Sequence, residues 1–185
     1  MRKISIVLVT VVLMIMVGCT KQSDSGNNET TNASFDSIVN AIKEQMAKDL
    51  KEAGIEEEVL VDGNIMNYFH TNLTASEESD PAIPVWLEKM QLQQEDIANG
   101  TVIAAMMSVN ADEIIVLEAK EESKVDSLKA SLEKELQAQE QTWSQYLPDQ
   151  YEKVKQNVIK TKGKYLIYIT YSNPEQIEKV FDDQF

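Results

Sequence analysis

The clearest alternation of apolar and polar positions lies in the second half of the chain. Residues 101–109 and 113–119 are two apolar, β-branched runs, and the short polar segment 110–112 separates them. Residues 157–161 and 164–172 form a second pair of runs that turns at Gly163. Adjacent apolar runs with a short polar connection are typical of β-hairpins. The pattern therefore predicts two hairpins.

In the segments around the hairpins, apolar residues recur at the spacing of a helix. Residues 35–53 carry an apolar residue at every fourth position, which predicts a first helix with Ser34 or Asp36 as its starting cap. The longest predicted helix opens at Ser123, with Asp126 as its capping-box partner. Both helices place charged residues opposite the apolar stripe, so both are expected to cover a core.

The stripe of the longest helix has a single polar interruption, at Gln139. Its apolar members are Val125, Leu128, Leu132, Leu136, Trp143 and Tyr146. Pro148 ends or restarts this helix, and residues 149–156 continue as a short helix. Asn173 and Pro174 have the order of a cap and a first helical residue, which predicts a final helix after the second hairpin.

The first half gives weaker patterns. Residues 59–69 are apolar without a clear period, and residues 71–80 form a polar loop. A short helix is predicted around residues 86–90, and another helical turn over residues 94–99, ended by Gly100.

Strands that arrive as adjacent pairs favour an antiparallel sheet, because each short turn joins neighbouring strands. The predicted fold class is α+β. It is a two-layer domain in which an antiparallel sheet of two β-hairpins, in a ββαββα-like order, is covered by amphipathic helices and preceded by N-terminal helices.

The second half also resembles a known family. A long Gln-rich helix leads to Tyr146-Leu147-Pro148, then to an Asn157-Val158-Ile159 strand, and then to a strand that opens with Gly163 and Tyr165. This pattern is similar to the bacterial lipoproteins of the domain of unknown function 4358 family, from about residue 83 to the end. The resemblance implies an architecture and a location. It carries no activity and no catalytic residues.

Residues 1–19 have the order of a bacterial secretory signal. Arg2 and Lys3 form a positive start, a short apolar run follows, and Gly18 precedes Cys19. This ending resembles a lipobox, which implies that Cys19 carries a lipid and becomes the first residue of the mature protein. An uncleaved membrane-spanning helix is disfavoured, because ~14 apolar residues fall short of the roughly 20 that a bilayer core needs.

Three segments are predicted from this order. Residues 1–18 form a lipoprotein signal peptide, residues 19–33 contain the lipidated Cys19 and a polar, disordered tether, and residues 34–185 form one extracytoplasmic α+β domain. The expected location is the outer face of the cell membrane, to which the protein is held through the lipid on Cys19.

Charge and composition narrow the classes of partner. The net charge of −14 becomes −16 when Arg2 and Lys3 leave with the signal, and Arg2 is the only arginine. A mature chain without arginine and with a large acidic excess is poorly suited to nucleic acid or anionic headgroups. Cys19 is the only cysteine and His70 the only histidine, which excludes an internal disulfide and any multi-histidine metal site.

Two motifs could indicate chemistry. Ser131 and Lys134 have the S-x-x-K spacing of penicillin-recognising enzymes, but the accompanying S-D-N and K-T-G motifs are absent, so this pair is expected to face solvent. Residues 62–64 begin like a calcium-binding loop, yet Met66 occupies the position of the third oxygen ligand. The acidic clusters, at residues 56–58, 77–80, 121–122 and 182–183, are interpreted as solvated surface.

Aromatic residues are a further candidate for a binding site. Those concentrated in the second half are Trp143, Tyr146, Tyr151, Tyr165, Tyr168 and Tyr171. They could form a stacking platform, but core and ordinary sheet positions are the favoured interpretation. His70 has no second histidine to work with and is interpreted as structural.

These observations predict no catalytic residue, no cofactor and no metal site, and Cys19 is the one predicted site residue. The favoured hypothesis is a non-enzymatic, membrane-anchored extracytoplasmic domain that binds a protein or another envelope component, with an envelope protein as a possible partner. The alternatives are a single-lobe, ligand-binding accessory of a transporter, which a large apolar pocket would favour, and an envelope hydrolase, which requires catalytic side chains converging in a cleft.

Overall fold

The computed structural model describes residues 33–185, so the predicted signal peptide, Cys19 and nearly all of the tether lie outside the described residues. The described part contains five helices and seven strands, with short 3-10 turns at Gln94–Asp96 and Glu122–Lys124. The helices are α1 (Phe35–Glu52), α2 (Ala82–Met90), α3 (Val125–Tyr146), α4 (Pro148–Lys155) and α5 (Pro174–Asp182). The strands are β1 (Leu60–Val61), β2 (Asn64–Ile65), β3 (Tyr68–Asn72), β4 (Ile97–Ala105), β5 (Glu113–Ala119), β6 (Val158–Lys162) and β7 (Tyr165–Thr170).

Five of these strands form one open antiparallel sheet in the order β3-β4-β5-β7-β6. Both predicted hairpins, β4–β5 and β6–β7, are confirmed, and β5 pairs with β7 to join them. The ambiguous residues 59–69 supply β1 and β2, which form a small ribbon, and the start of the edge strand β3.

Helices cover both faces of the sheet. Along β5, Ile114 and Val116 belong to the core under α1 and α5, whereas Ile115 and Leu117 belong to the core under α2 and α3. The α+β class is confirmed, but the domain has three layers instead of the two predicted. The near-continuous burial of β7 shows the physical reason, because a strand that is buried on both faces has few polar positions.

The strand β4 begins and ends four residues earlier than predicted. Residues 94–99 do not form the expected helix, because the 3-10 turn passes directly into the strand at Ile97. Gly100 lies within β4, where an added Cβ would be 3.2 Å from both Leu73 and Leu117. This glycine therefore permits close packing and does not end a helix. The shift also places the apolar residues Met106, Met107 and Val109 in the β4–β5 loop.

Two helix starts differ in how they are capped. Ser34 caps α1 as predicted, since its hydroxyl accepts a 3.1 Å hydrogen bond from the backbone N–H of Ser37. The predicted cap at Ser123 is wrong: a 3-10 turn precedes α3, and the capping position, Lys124, makes no side-chain capping bond. The extra turn moves the start of the helix beyond the reach of Ser123.

Candidate functional site

The end of the sheet at the β4–β5 loop brings together buried charge and exposed apolar surface. Asp112 and Glu113 follow one another at the start of β5 and are 6% and 4% exposed. Consecutive residues of a strand point to opposite faces of the sheet. Each carboxylate therefore belongs to a different polar network, and both networks lie at the same end of the domain.

Glu113 belongs to a buried pair of carboxyl groups on the face covered by α2 and α3. Glu135 of α3 is fully buried beside it, and the Gln139 side-chain amide donates to Glu113 Oε2 at 3.0 Å and to Glu135 Oε1 at 2.8 Å. Lys89 of α2 contacts the same two oxygens, at 3.5 Å and 2.6 Å. Three elements therefore meet at two carboxyl groups and one ammonium group.

Aromatic side chains surround this network. The Trp143 ring N–H donates to Gln139 Oε1 at 2.6 Å, which orients the amide toward the carboxyl groups. Lys89 Nζ lies 4.6 Å from the centre of the Trp86 ring, a cation–π distance. Tyr168 of β7 is fully buried on the same face, and burial followed by the charge of Glu113 raises its pKa.

The charged groups of this network shift one another's pKa values. Burial, and then the neighbouring carboxyl group of Glu135, raise the pKa of Glu113 to about 8, although Lys89 opposes the shift. Burial lowers the pKa of Lys89, but the two carboxylates outweigh this effect and the net shift is upward. Burial thus favours a protonated acid at Glu113, and the neighbouring carboxyl groups favour a charged amine at Lys89.

Asp112 anchors the second network, which ties the β4–β5 loop to α4. Its carboxylate accepts a 2.6 Å hydrogen bond from the Tyr68 hydroxyl and a charged contact from Lys153 Nζ. Lys153 also donates to the Asn110 side chain at 3.0 Å, and Gln150 accepts from the backbone of Ala111 at 2.9 Å. Burial and then Asp112 raise the pKa of Tyr68, so this hydroxyl stays neutral and donates.

A small cavity of about 210 Å³ opens between the two networks. Its walls include Phe69, Trp86, Trp143, Asp112, Glu113 and Gln139. The carboxylate of Asp112 and one oxygen of Glu113 accept from the donors described above, and both side chains are more than nine-tenths buried, which limits the part that they can take in binding or catalysis within this cavity.

Exposed apolar side chains lie on the β1–β2 ribbon, on β3 and in the β4–β5 loop, and we name them the apolar rim. The members are Val61, Phe69, Met106, Met107 and Val109, each between 45% and 61% exposed. Val61, Phe69 and Met106 line one surface groove of about 360 Å³, and Phe69 also lines the cavity. The rim therefore continues from the β1–β2 ribbon across β3 to the β4–β5 loop.

Two other depressions lie beside α1. The larger, of about 580 Å³, is an open groove between α1 and β1 in which Val59 and Leu60 are flanked by Lys and Glu side chains. The other is a polar cleft of about 350 Å³ that includes Lys43 and His70. His70 Nε2 accepts a 2.9 Å hydrogen bond from the backbone of Ile65, and burial followed by the charge of Lys43 lowers its pKa.

The S-x-x-K residues are not arranged as expected. Ser131 is 7% exposed and lies on the buried side of α3, so the expectation that it faces solvent is wrong. Lys134 is exposed and donates to Gln91 at 2.6 Å. The apolar stripe of α3 is wider than its large residues indicated, and Ser131 fills the space beside Leu132.

The aromatic residues of the second half do not form one platform. Tyr168 lies in the core under α2 and α3, whereas Tyr171 lies in the core under α1 and α5. Trp143 is buried and Tyr146 is 55% exposed at the end of α3. Half of the cluster is therefore core, whereas Tyr151 and Tyr165 are partly buried.

Sequence reasoning did not identify the buried carboxyl groups. The available signal was Gln139, the polar residue that interrupts the stripe of α3, together with Glu135 one helical turn before it on the same face. Glu113 could be placed only at the start of a strand, and nothing local showed that this end of the strand is covered.

Within residues 33–185, no group of three or more His, Cys, Asp or Glu side chains is placed to hold a metal ion. The same part of the chain contains no helix that is both long enough and apolar enough to span a bilayer. The lipidation predicted at Cys19 lies outside the described residues.

Comparison with known proteins gives one match. Neither the curated proteins nor the solved structures contain a match to this chain. The model of the family described as Domain of unknown function (DUF4358) matches residues 88–171. This segment runs from the end of α2 to the end of β7 and includes Lys89, Glu113, Glu135 and Gln139. The segment that carries the buried carboxyl pair is thus similar to the DUF4358 family, in agreement with the resemblance of the second half.

Proposed function

We propose that this protein is a membrane-anchored extracytoplasmic lipoprotein whose α+β domain is a non-catalytic module that binds a protein partner through the apolar rim. The pattern of residues 1–19 supports the anchor, with Cys19 as the lipidated residue. The exposure of the rim carries the binding part of the proposal. Five large apolar side chains grouped at one end of an acidic domain are typical of an interaction surface.

The charge of the domain supports a protein over other occupants of the rim. The net charge of −14 for the whole chain, which becomes −16 without Arg2 and Lys3, repels anionic lipid headgroups and also opposes close contact between two copies of the chain. A neutral or basic protein surface with apolar side chains complements both properties of the rim. The partner is therefore expected to present apolar residues flanked by lysine or arginine.

The two alternatives have less support from the site. A hydrolase requires an accessible catalytic group, but the Glu113 and Asp112 side chains are more than nine-tenths buried and engaged by neighbouring donors. A transporter accessory requires an enclosing ligand pocket. The groove beside α1 has the necessary volume, but it is open and edged by charged side chains.

The binding proposal can be tested with a photo-crosslinking amino acid in intact cells. It is placed at Phe69 or Met106 in the rim, and at Phe185 as the matched control. Phe185 is 44% exposed and packs against Tyr165, at the opposite end of β7 from Glu113. We expect the same discrete adduct from both rim positions and none from the control position.

The outcomes separate the possible occupants. An adduct with a basic or neutral envelope protein, lost when the other rim position is changed to serine, supports the proposal. A dimer of this chain, a lipid adduct, or no adduct from either rim position contradicts it. Anchoring is tested separately with Cys19→Ala, which should move the protein out of the detergent-extracted membrane fraction. Retention of that variant in the membrane fraction would contradict lipid anchoring.

A further inference from the structure

The carboxyl pair lacks the hydrogen bonds that two ionised groups would need. Glu113 and Glu135 share the donors Gln139 and Lys89, and these donors reach only one oxygen of each acid. The second oxygens, Glu113 Oε1 and Glu135 Oε2, are buried and have no hydrogen-bond partner among the described residues. A buried charged oxygen without a donor is strongly unfavourable, so the arrangement as two carboxylates is incomplete.

The surrounding elements do not supply the missing positive charge. Lys89 is the ammonium group that α2 contributes, and Tyr168 from β7 is a neutral hydroxyl whose pKa burial raises further. Ala104 of β4 pairs with Glu113 across the sheet and carries no charge. Two carboxylates beside one ammonium group leave one negative charge on side chains that are at most 5% exposed. Such a charge is usually removed by taking up a proton.

The two acids lie close to each other. A single amide nitrogen, Gln139 Nε2, lies within 3.0 Å of an oxygen of each, so the two oxygens are separated by at most about 6 Å. Like-charged carboxyl groups at such separations hold one proton more tightly than an isolated acid does. Protonation also turns one carboxylate oxygen from an acceptor into a hydroxyl donor. A donor is the partner that the buried, unpartnered oxygens lack.

We infer that Glu113 and Glu135 form a proton-binding site that holds one proton between them at neutral pH. The proton is a structural component that joins α2, β5 and α3. Its loss leaves an uncompensated charge between these elements. This inference does not depend on the proposed partner, and the domain should show it alone and in complex.

The pH dependence has a definite sign. The ordinary pKa of Glu113 is near 4.5 and the folded state raises it to about 8. Between these values the folded protein holds a proton that the unfolded chain has released, so stability falls as pH rises through this range and levels off above it. When the folded state binds one proton more than the unfolded state, the folding equilibrium constant decreases tenfold for each pH unit by which the pH rises.

The test is urea unfolding of the full-length protein, purified from membranes in detergent, between about pH 5 and pH 9. Glu113→Gln and Glu135→Gln each replace an acid with a permanent neutral donor of similar shape. Glu118→Gln is the control, because Glu118 lies on the same strand but contacts the surface residue Lys164 at 3.6 Å. In either pair variant we expect the slope of stability against pH to correspond to about one bound proton fewer than in the parent protein. In the control variant the slope should not change.

A second measurement gives a direct reading of the proton. Infrared difference spectra between neutral and alkaline pH should show the carbonyl band of a protonated carboxyl group in the parent protein and in Glu118→Gln. The band should be missing from both pair variants. An unchanged stability profile in both pair variants, or a parent protein without the band at neutral pH, would overturn the inference. If a pair variant does not fold, the spectrum of the parent protein still shows whether a carboxyl group is protonated at neutral pH.

Discussion

Replacing Lys153 with methionine should destabilise the domain by removing the only ammonium group within the described residues that pairs with Asp112. Asp112 is 6% exposed and the Lys153 side chain is 14% exposed, so the pair lies where solvent compensates poorly. Removing one partner of a buried ion pair costs about 3–5 kcal/mol. Asp112 would keep the Tyr68 hydroxyl at 2.6 Å and the Asn110 amide at 3.1 Å, which places the expected loss near the lower end of that range.

The same helix provides a matched control. Lys155→Met makes the identical substitution two residues away, where the pair with Glu152 is exposed, and little change in stability is expected. Urea unfolding at constant pH measures both variants, and adding Asp112→Asn to Lys153→Met should recover part of the loss because it removes the unpaired charge. Equal stabilities of Lys153→Met and Lys155→Met would refute the reasoning, since Asp112 would then be adequately solvated.

Three further stability changes follow from the packing, all measured by the same unfolding assay. Ser34→Ala should cost about 1 kcal/mol through loss of the α1 cap, and Ser34→Asp should retain most of the stability. Gly100→Ala should cost about 1–3 kcal/mol because its Cβ would be 3.2 Å from the backbone-linked Cβ of Leu73, which cannot rotate away. Phe181→Ala should cost about 3–5 kcal/mol, since this ring is fully buried between α5 and the sheet. A negligible effect of any one of these would contradict the local packing described for it.

The apolar rim and the carboxyl pair lie at the same end of the domain but at different depths. The apolar rim lies on the surface, and the carboxyl pair lies behind the cavity that Phe69 and Trp86 line. Trp86 belongs to α2, the helix that Lys89 holds against the pair. The two proposals nevertheless concern different residues, and binding and proton uptake are measured independently.

Local sequence patterns were sufficient for most individual elements. The hairpins β4–β5 and β6–β7 depend on apolar runs and short turns, and α1 depends on regular apolar spacing and a Ser34 cap. Each of these signals lies within about 20 residues, the range over which periodicity and turn chemistry act. The errors occurred where neighbours outside that range decided the structure, as at Gly100, which packs against Leu73.

Sequence patterns alone established the acidic character of the protein and the order of its main helices and hairpins, and they predict a lipoprotein signal that ends at Cys19. The tertiary structure alone decided that helices cover both faces of the sheet, and that Lys89, Glu113 and Glu135 meet there. These residues are more than 20 positions apart in the chain. Their contact depends on strand order and helix packing, which arise from the burial of many apolar side chains together, and no short segment encodes it.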